Sequence, residues 1–173
     1  MKTLPLAAAV AVAIILPGCA TSPETLSCMQ PNRRVVVEVG GIKVKPAPKP
    51  KPGAKPGKPG RQTVMLKALA QGDSSWDYGG ATLKAGGKGE LDKLVNTLHK
   101  GAGRDKRPTN VGSIIITGHS DRFEVKDGKS NLDEERARSV KDYLVSKGLN
   151  AKLMFWEGKD DKEPVPVTKF CDA

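Results

Sequence analysis

The stretch Ile114-Ile115-Ile116-Thr117-Gly118-His119-Ser120-Asp121 decides the reading of this chain, together with Leu132-Asp133-Glu134-Glu135-Arg136-Ala137 downstream. The first opens as an apolar β-branched run, the pattern of a buried strand. The second follows Asn131, an N-cap residue type, and sets three carboxylates where the positive end of a helix favours them. Asp121 at a strand end and Arg136 in the first turns of the next helix can face one small cleft. Such a pair suits a zwitterion, because the carboxylate accepts an ammonium and the guanidinium donates two parallel hydrogen bonds to a carboxylate. It is a binding constellation with no chemistry attached.

On either side of this unit, strands and helices alternate. Residues 35–39 predict a strand that Gly40-Gly41 ends. Residues 63–69 predict a second, with Val64, Leu66 and Ala68 opposing Met65, Lys67 and Leu69. Gly79-Gly80 and Gly86-Gly87 are expected to bracket a loop, and a helix to follow over 88–99, where Leu91, Leu94, Val95 and Leu98 form one apolar stripe. Residues 113–118 give the third strand, 120–130 a polar loop, and a helix from Asn131 closes at Gly148. The fourth strand is placed at 152–156, and Pro164 and Pro166 keep the tail irregular. The alternation implies α+β architecture, two layers with helices packed on one face of a mixed four-stranded sheet.

The ends and the linker differ from this core in composition. Residues 1–18 carry a short basic start and an apolar stretch of secretory type, too short for a comfortable membrane span. They lead to Leu16-Pro17-Gly18-Cys19, which resembles the bacterial lipobox. That resemblance implies lipidation of Cys19, and Ala20 after it favours the outer membrane. Residues 19–31 read as a polar, irregular tether. The formal net charge is +10, and much of the excess lies between Lys43 and Arg61. Residues 45–61 are rich in Pro, Lys and Gly, so they read as a flexible connecting segment that buries no core.

In the order Trp76-Asp77-Tyr78, Gly118-His119-Ser120-Asp121, Leu132 to Ala137, Tyr143-Leu144, Gly148-Leu149, Gly158 and Pro164-Val165, the chain resembles the OmpA-like peptidoglycan-binding domain. The family's last strand opens Asn-Arg-Arg-Val-Glu. Here Asn32-Arg33-Arg34-Val35 stands near the start instead, so the resemblance implies a circular permutation. Residues 32–44 would supply the displaced strand, and 62–173 the remainder of the domain. Cys28 and Cys171 would then flank the cut, and a disulfide between them would rejoin it.

The resemblance also implies a ligand, the meso-diaminopimelate of the peptidoglycan stem. Asp121 would take its ammonium and Arg136 its carboxylate. Ser120, Arg122, Phe123, Lys129, Leu132 and Gly79 would line the same site. Lysine-type stems lack that carboxylate and would leave Arg136 unpaired. Three positions depart from the family pattern: Lys129 replaces a common Asn, Glu124 a common Gly, and Gly79 a common polar residue. Taken without the resemblance, Asp121 reads as a turn-capping carboxylate and Arg136 as a surface residue paired with Asp133.

The expected function is therefore non-covalent linkage of the outer membrane to the cell wall by a lipoprotein facing the periplasm. The alternative is a structural or assembly lipoprotein using the same fold against an envelope protein partner. No enzyme activity is expected, since neighbours in His119-Ser120-Asp121 point in opposite directions along a strand end. The two histidines and the cysteines lack metal-ligand spacing, so neither metal nor cofactor is implied. Trp76, Phe123, Phe155 and Trp156 read as core or loop packing. Nucleic acid would suit the charge but not the export signal.

Overall fold

The computed structural model describes residues 22–45, 60–129 and 131–167. The signal segment, Cys19, most of the Pro/Lys segment and Cys171 lie outside them. Helix α1 spans Pro23–Met29 and strand β1 Arg34–Val44. Then follow β2 (Arg61–Gln71), α2 (Ala85–Lys100), β3 (Asn110–His119), α3 (Arg122–Lys126), α4 (Leu132–Ser146) and β4 (Met154–Gly158). The four strands form one mixed sheet in the order β2-β1-β3-β4. Strand β1 is antiparallel to both neighbours, while β3 and β4 run parallel.

Period-two alternation builds the core. Val35, Val37 and Val39 of β1, Ala68 and Ala70 of β2, and Ile114 and Ile116 of β3 point to one face. There they meet Leu91, Leu94, Val95 and Leu98 of α2, and Ala137, Val140 and Leu144 of α4. The fold class is thus the one the sequence implies. The opposite face stays open, with Met65, Leu69, Ile115 and Phe155 exposed.

Several local expectations change. Gly40-Gly41 does not end β1; the strand continues, and its register with β3 skips Gly112 as a bulge. Glycine is needed at 41 because a Cβ there would stand 2.6 Å from the Asn110 carbonyl. Helix α2 begins at Ala85, so Gly86-Gly87 belong to its first turn and pass close to Ser74 and Ser75. Residues 23–29, expected to be irregular, are helical because Ser22 caps Thr25 N–H and Pro23 fits the first turn. Strand β4 starts two residues late, after a 3-10 turn at Ala151–Leu153. Phe155 and Trp156 are not core: Phe155 lies on the open face, and Trp156 is exposed beneath Lys141, whose Nζ is 3.9 Å from the ring centre.

One end of the sheet gathers the sequence features that matter. Asn32 accepts Val165 N–H at 2.7 Å, and Arg34 donates to the Glu163 carbonyl at 2.7 Å. The C-terminal segment is thereby held against the start of β1. At the same end β3 delivers Gly118 to Asp121 beneath the first turn of α4. Gly118 permits that approach, because a Cβ would fall 1.9 Å from the Asp133 carbonyl oxygen.

Candidate functional site

Asp121 leaves β3 in extended conformation and caps the five-residue helix α3. Its Oδ1 accepts Phe123 N–H at 2.8 Å and Glu124 N–H at 2.9 Å. Glu124 returns the contact, its Oε2 accepting Asp121 N–H at 3.1 Å. This is a capping box, and Asp121-x-x-Glu124 is its sequence signature. Residues 120–130, expected to be a loop, thus hold a helix over 122–126. The second oxygen of Asp121 accepts Arg33 Nη1 at 2.8 Å. Arg33 also bonds Asp73 and donates to the Leu26 carbonyl at 3.1 Å.

Arg136 enters from the first turns of α4, buried and not on the surface. Its guanidinium lies over Trp76, 5.7 Å from the ring centre. Nε donates to Gly80 O at 2.9 Å. Nη1 donates to Glu124 Oε2 at 2.8 Å and His119 O at 3.4 Å. Nη2 donates to Glu124 Oε1 at 2.6 Å and Asp77 O at 3.3 Å. A guanidinium has five N–H donors, and all five are used. Asp133 pairs elsewhere, accepting Asp160 N–H at 2.8 Å. Glu124 is equally saturated, since Oε1 also accepts Gly79 N–H at 2.8 Å.

Asp121 and Arg136 therefore do converge, with Glu124 between them. Asp121, Glu124 and Arg136 are each 0% exposed. A buried carboxylate is tolerable only when paired and hydrogen-bonded, and both acids meet that condition. The arrangement seats one carboxylate on Arg136 and two backbone amides, and one cation on Asp121, and the chain itself fills both seats.

The lesser candidates divide. Gly79, at a φ of 66°, offers its N–H to Glu124 and passes beneath Lys129, whose Nζ would lie 2.0 Å from any Cβ there. Lys129 is exposed, with Nζ 5.3 Å from the Tyr78 ring centre. Tyr78 donates to Asp127 Oδ2 at 2.6 Å, which fastens α3 to the 77–80 turn. Phe123 and Leu132 are buried, Phe123 against Met29 with Leu26, Cys28, Tyr78 and Val167 alongside. Arg122 is exposed, its guanidinium 4.9 Å from the Phe123 ring centre. Ser120 is buried, and its Oγ has no hydrogen-bond partner among the described residues. Asn131 adopts a φ of 71° and makes no side-chain cap.

Sequence reasoning missed Arg33 as the partner of Asp121 and Glu124 as the partner of Arg136. The capping-box spacing was the signal available for Glu124; nothing local signals Arg33, which comes from 88 residues away. His119 is also buried, and burial, then the nearby Arg34 charge, pushes its pKa down to about 4. Among the described residues no cluster could hold a metal, and no helix is long and apolar enough to cross a membrane.

A family model described as the OmpA family matches residues 76–170. Outer membrane protein A of Bordetella avium is 30% identical over 133 residues, covering 77% of this chain and 60% of that protein. Outer membrane protein A of Klebsiella aerogenes is 34% identical over 111 residues, 64% of this chain and 29% of the other. The chain thus spans less than two thirds of the length of these relatives. A solved structure, the OmpA-like domain of FopA1 from Francisella tularensis subsp. tularensis SCHU S4, covers 57% of this chain and 61% of its own at 22% identity and a TM-score of 0.42.

Proposed function

The chain belongs to the OmpA family, and on that premise we propose that it binds peptidoglycan without covalent chemistry, at Asp121 and Arg136. The observation that carries the reading is the shared buried site, in which Arg136 takes a carboxylate and Asp121 a cation. The charged tip of diaminopimelate presents that same combination. The family's association with peptidoglycan points the same way, as does the envelope location of its outer membrane relatives.

The finer proposals concern anchoring and chain order. Lipidation at Cys19 would fix the protein to the outer membrane, facing the periplasm. Permutation is supported by β1 lying between β2 and β3, and by the clasp of Asn32 and Arg34 on residues 163 and 165. A Cys28–Cys171 disulfide is supported by Cys28 and Val167 packing on the same small cluster. Intact-mass analysis without reductant should show two hydrogens fewer than the thiol form.

Sacculus pull-down tests the function. Retention by wild type that disappears in Asp121→Ala and Arg136→Ala, at a temperature where both remain folded, supports it. Retention unchanged in both variants rejects it. Muropeptides should emerge unaltered, the outcome that the proposed non-enzymatic binding requires. The saturation of Arg136 favours a second reading, in which the fold serves an envelope protein partner. Capture of one such protein, with no retention on sacculi, would select that reading.

A further inference from the structure

We propose that Glu124 is an internal ligand occupying the carboxylate seat of this site, so that an external carboxylate reaches Arg136 only by displacing it. For the identity of that carboxylate, the inference rests on the function proposed above. The seat is built from four donors: two N–H groups of Arg136 and the backbone amides of Asp121 and Gly79. With every Arg136 donor engaged, no ligand can add to the guanidinium; it can only exchange.

The exchange has a route. Glu124 rides on α3, whose neighbours Arg122, Lys126, Asp127, Gly128 and Lys129 are all exposed. Besides Glu124's own bonds to Arg136 and Gly79, the helix is fastened by the capping box, the Tyr78–Asp127 hydrogen bond, and Phe123 against Met29. Left-handed residues stand after it, Gly128 at a φ of 73° and Asn131 at 71°. Lys129 crosses Gly79, so the same segment covers the turn that supplies one of the four donors. Moving this segment outward uncovers Arg136 and Gly79 N–H together. The partner of Asp121, in contrast, is Arg33, the residue before β1, which is buried and held as well by Asp73 and the Leu26 carbonyl. The carboxylate half of the site is therefore the exchangeable half, and the cation half is fixed.

The test uses the mature chain as wild type, Glu124→Ala and Glu124→Gln, with two probes. Acetate, compared with chloride at equal ionic strength, asks whether the seat accepts a foreign carboxylate. Its thermal midpoint should rise with acetate in Glu124→Ala and stay unmoved in wild type. A diaminopimelate-containing muropeptide, followed by calorimetry, should bind Glu124→Ala about ten-fold more tightly than wild type. Glu124→Gln keeps the side-chain shape without the charge, so it should fall between them; it carries the comparison if the alanine variant does not fold. Variants indifferent to acetate, or equal muropeptide affinity in wild type and variant, would overturn the proposal. Acetate rescue with no muropeptide binding in any protein would remove the peptidoglycan reading and leave Glu124 as the internal ligand.

Discussion

Two arginine–carboxylate pairs at opposite ends of the sheet are each held by two hydrogen bonds, in different surroundings. Arg107 grips Asp105 with two hydrogen bonds of 2.8 Å, two residues apart on the loop before β3. Arg136 grips Glu124 with bonds of 2.8 and 2.6 Å. The first pair is a local surface fork, with side chains 29% and 36% exposed. The second joins α3 to α4 with both side chains at 0%. Water can replace either partner of the first pair. Water does not reach the second, so only another fully bonded carboxylate could stand in for Glu124, and a buried charge left alone costs far more than its pairing gained. A two-bonded fork thus means a half-exposed local pair at one end and a buried link between two helices at the other.

The contrast is sharpest when one partner is removed. Arg136→Ala should lower stability by about 3–5 kcal/mol, because Glu124 is left charged and buried. Urea unfolding would measure it, and a loss near zero would mean that water already reaches the pair. Replacing both, as Glu124→Leu with Arg136→Met, should recover much of that loss, since buried ion pairs seldom outperform well-packed apolar groups. Asp121→Asn should cost less, as the amide oxygen still caps α3 while Arg33 keeps Asp73.

A smaller effect separates the two ends by pH. His119 binds a proton less readily folded than unfolded, so stability should fall as pH drops from about 6.5 towards 4. The slope from this group is at most about 1.4 kcal/mol per pH unit. Subtracting the profile of His119→Gln from that of wild type isolates it, and parallel profiles would contradict the burial argument. The smallest effect belongs to Arg107→Ala, whose unfolding midpoint should be indistinguishable from wild type. A clear drop there would erase the distinction between the two pairs.

The sheet and its two long helices were legible because they obey single periodicities. Val35, Val37 and Val39 alternate, and Leu91, Leu94, Val95 and Leu98 recur at helical spacing, so each segment announces its own buried face. Asp121 and Arg136 were legible through the strand-to-helix unit that carries them. Arg33 was not, because its pairing with Asp121 is made only when β1 docks beside β3. Glu124 was visible as a departure from the family pattern, but its inward direction follows from the capping box, which turns α3 so that residue 124 faces Arg136. The glycines at 40, 41, 86 and 87 misled for a related reason. Read locally they break structure; in the fold they admit a neighbouring backbone or side chain.

Helix α1 has a consequence for reach. It packs beside the site, with the Leu26 carbonyl on Arg33 and Met29 against Phe123. Cys19 precedes Ser22 by three residues, a leash of about 10 Å when taut. On the proposed lipidation of Cys19, the acyl chain would hold Asp121 and Arg136 close above the bilayer. If the proposed wall binding holds as well, a glycan strand would have to descend almost to the lipid headgroups to be caught, and only wall material already pressed against the membrane would be clamped.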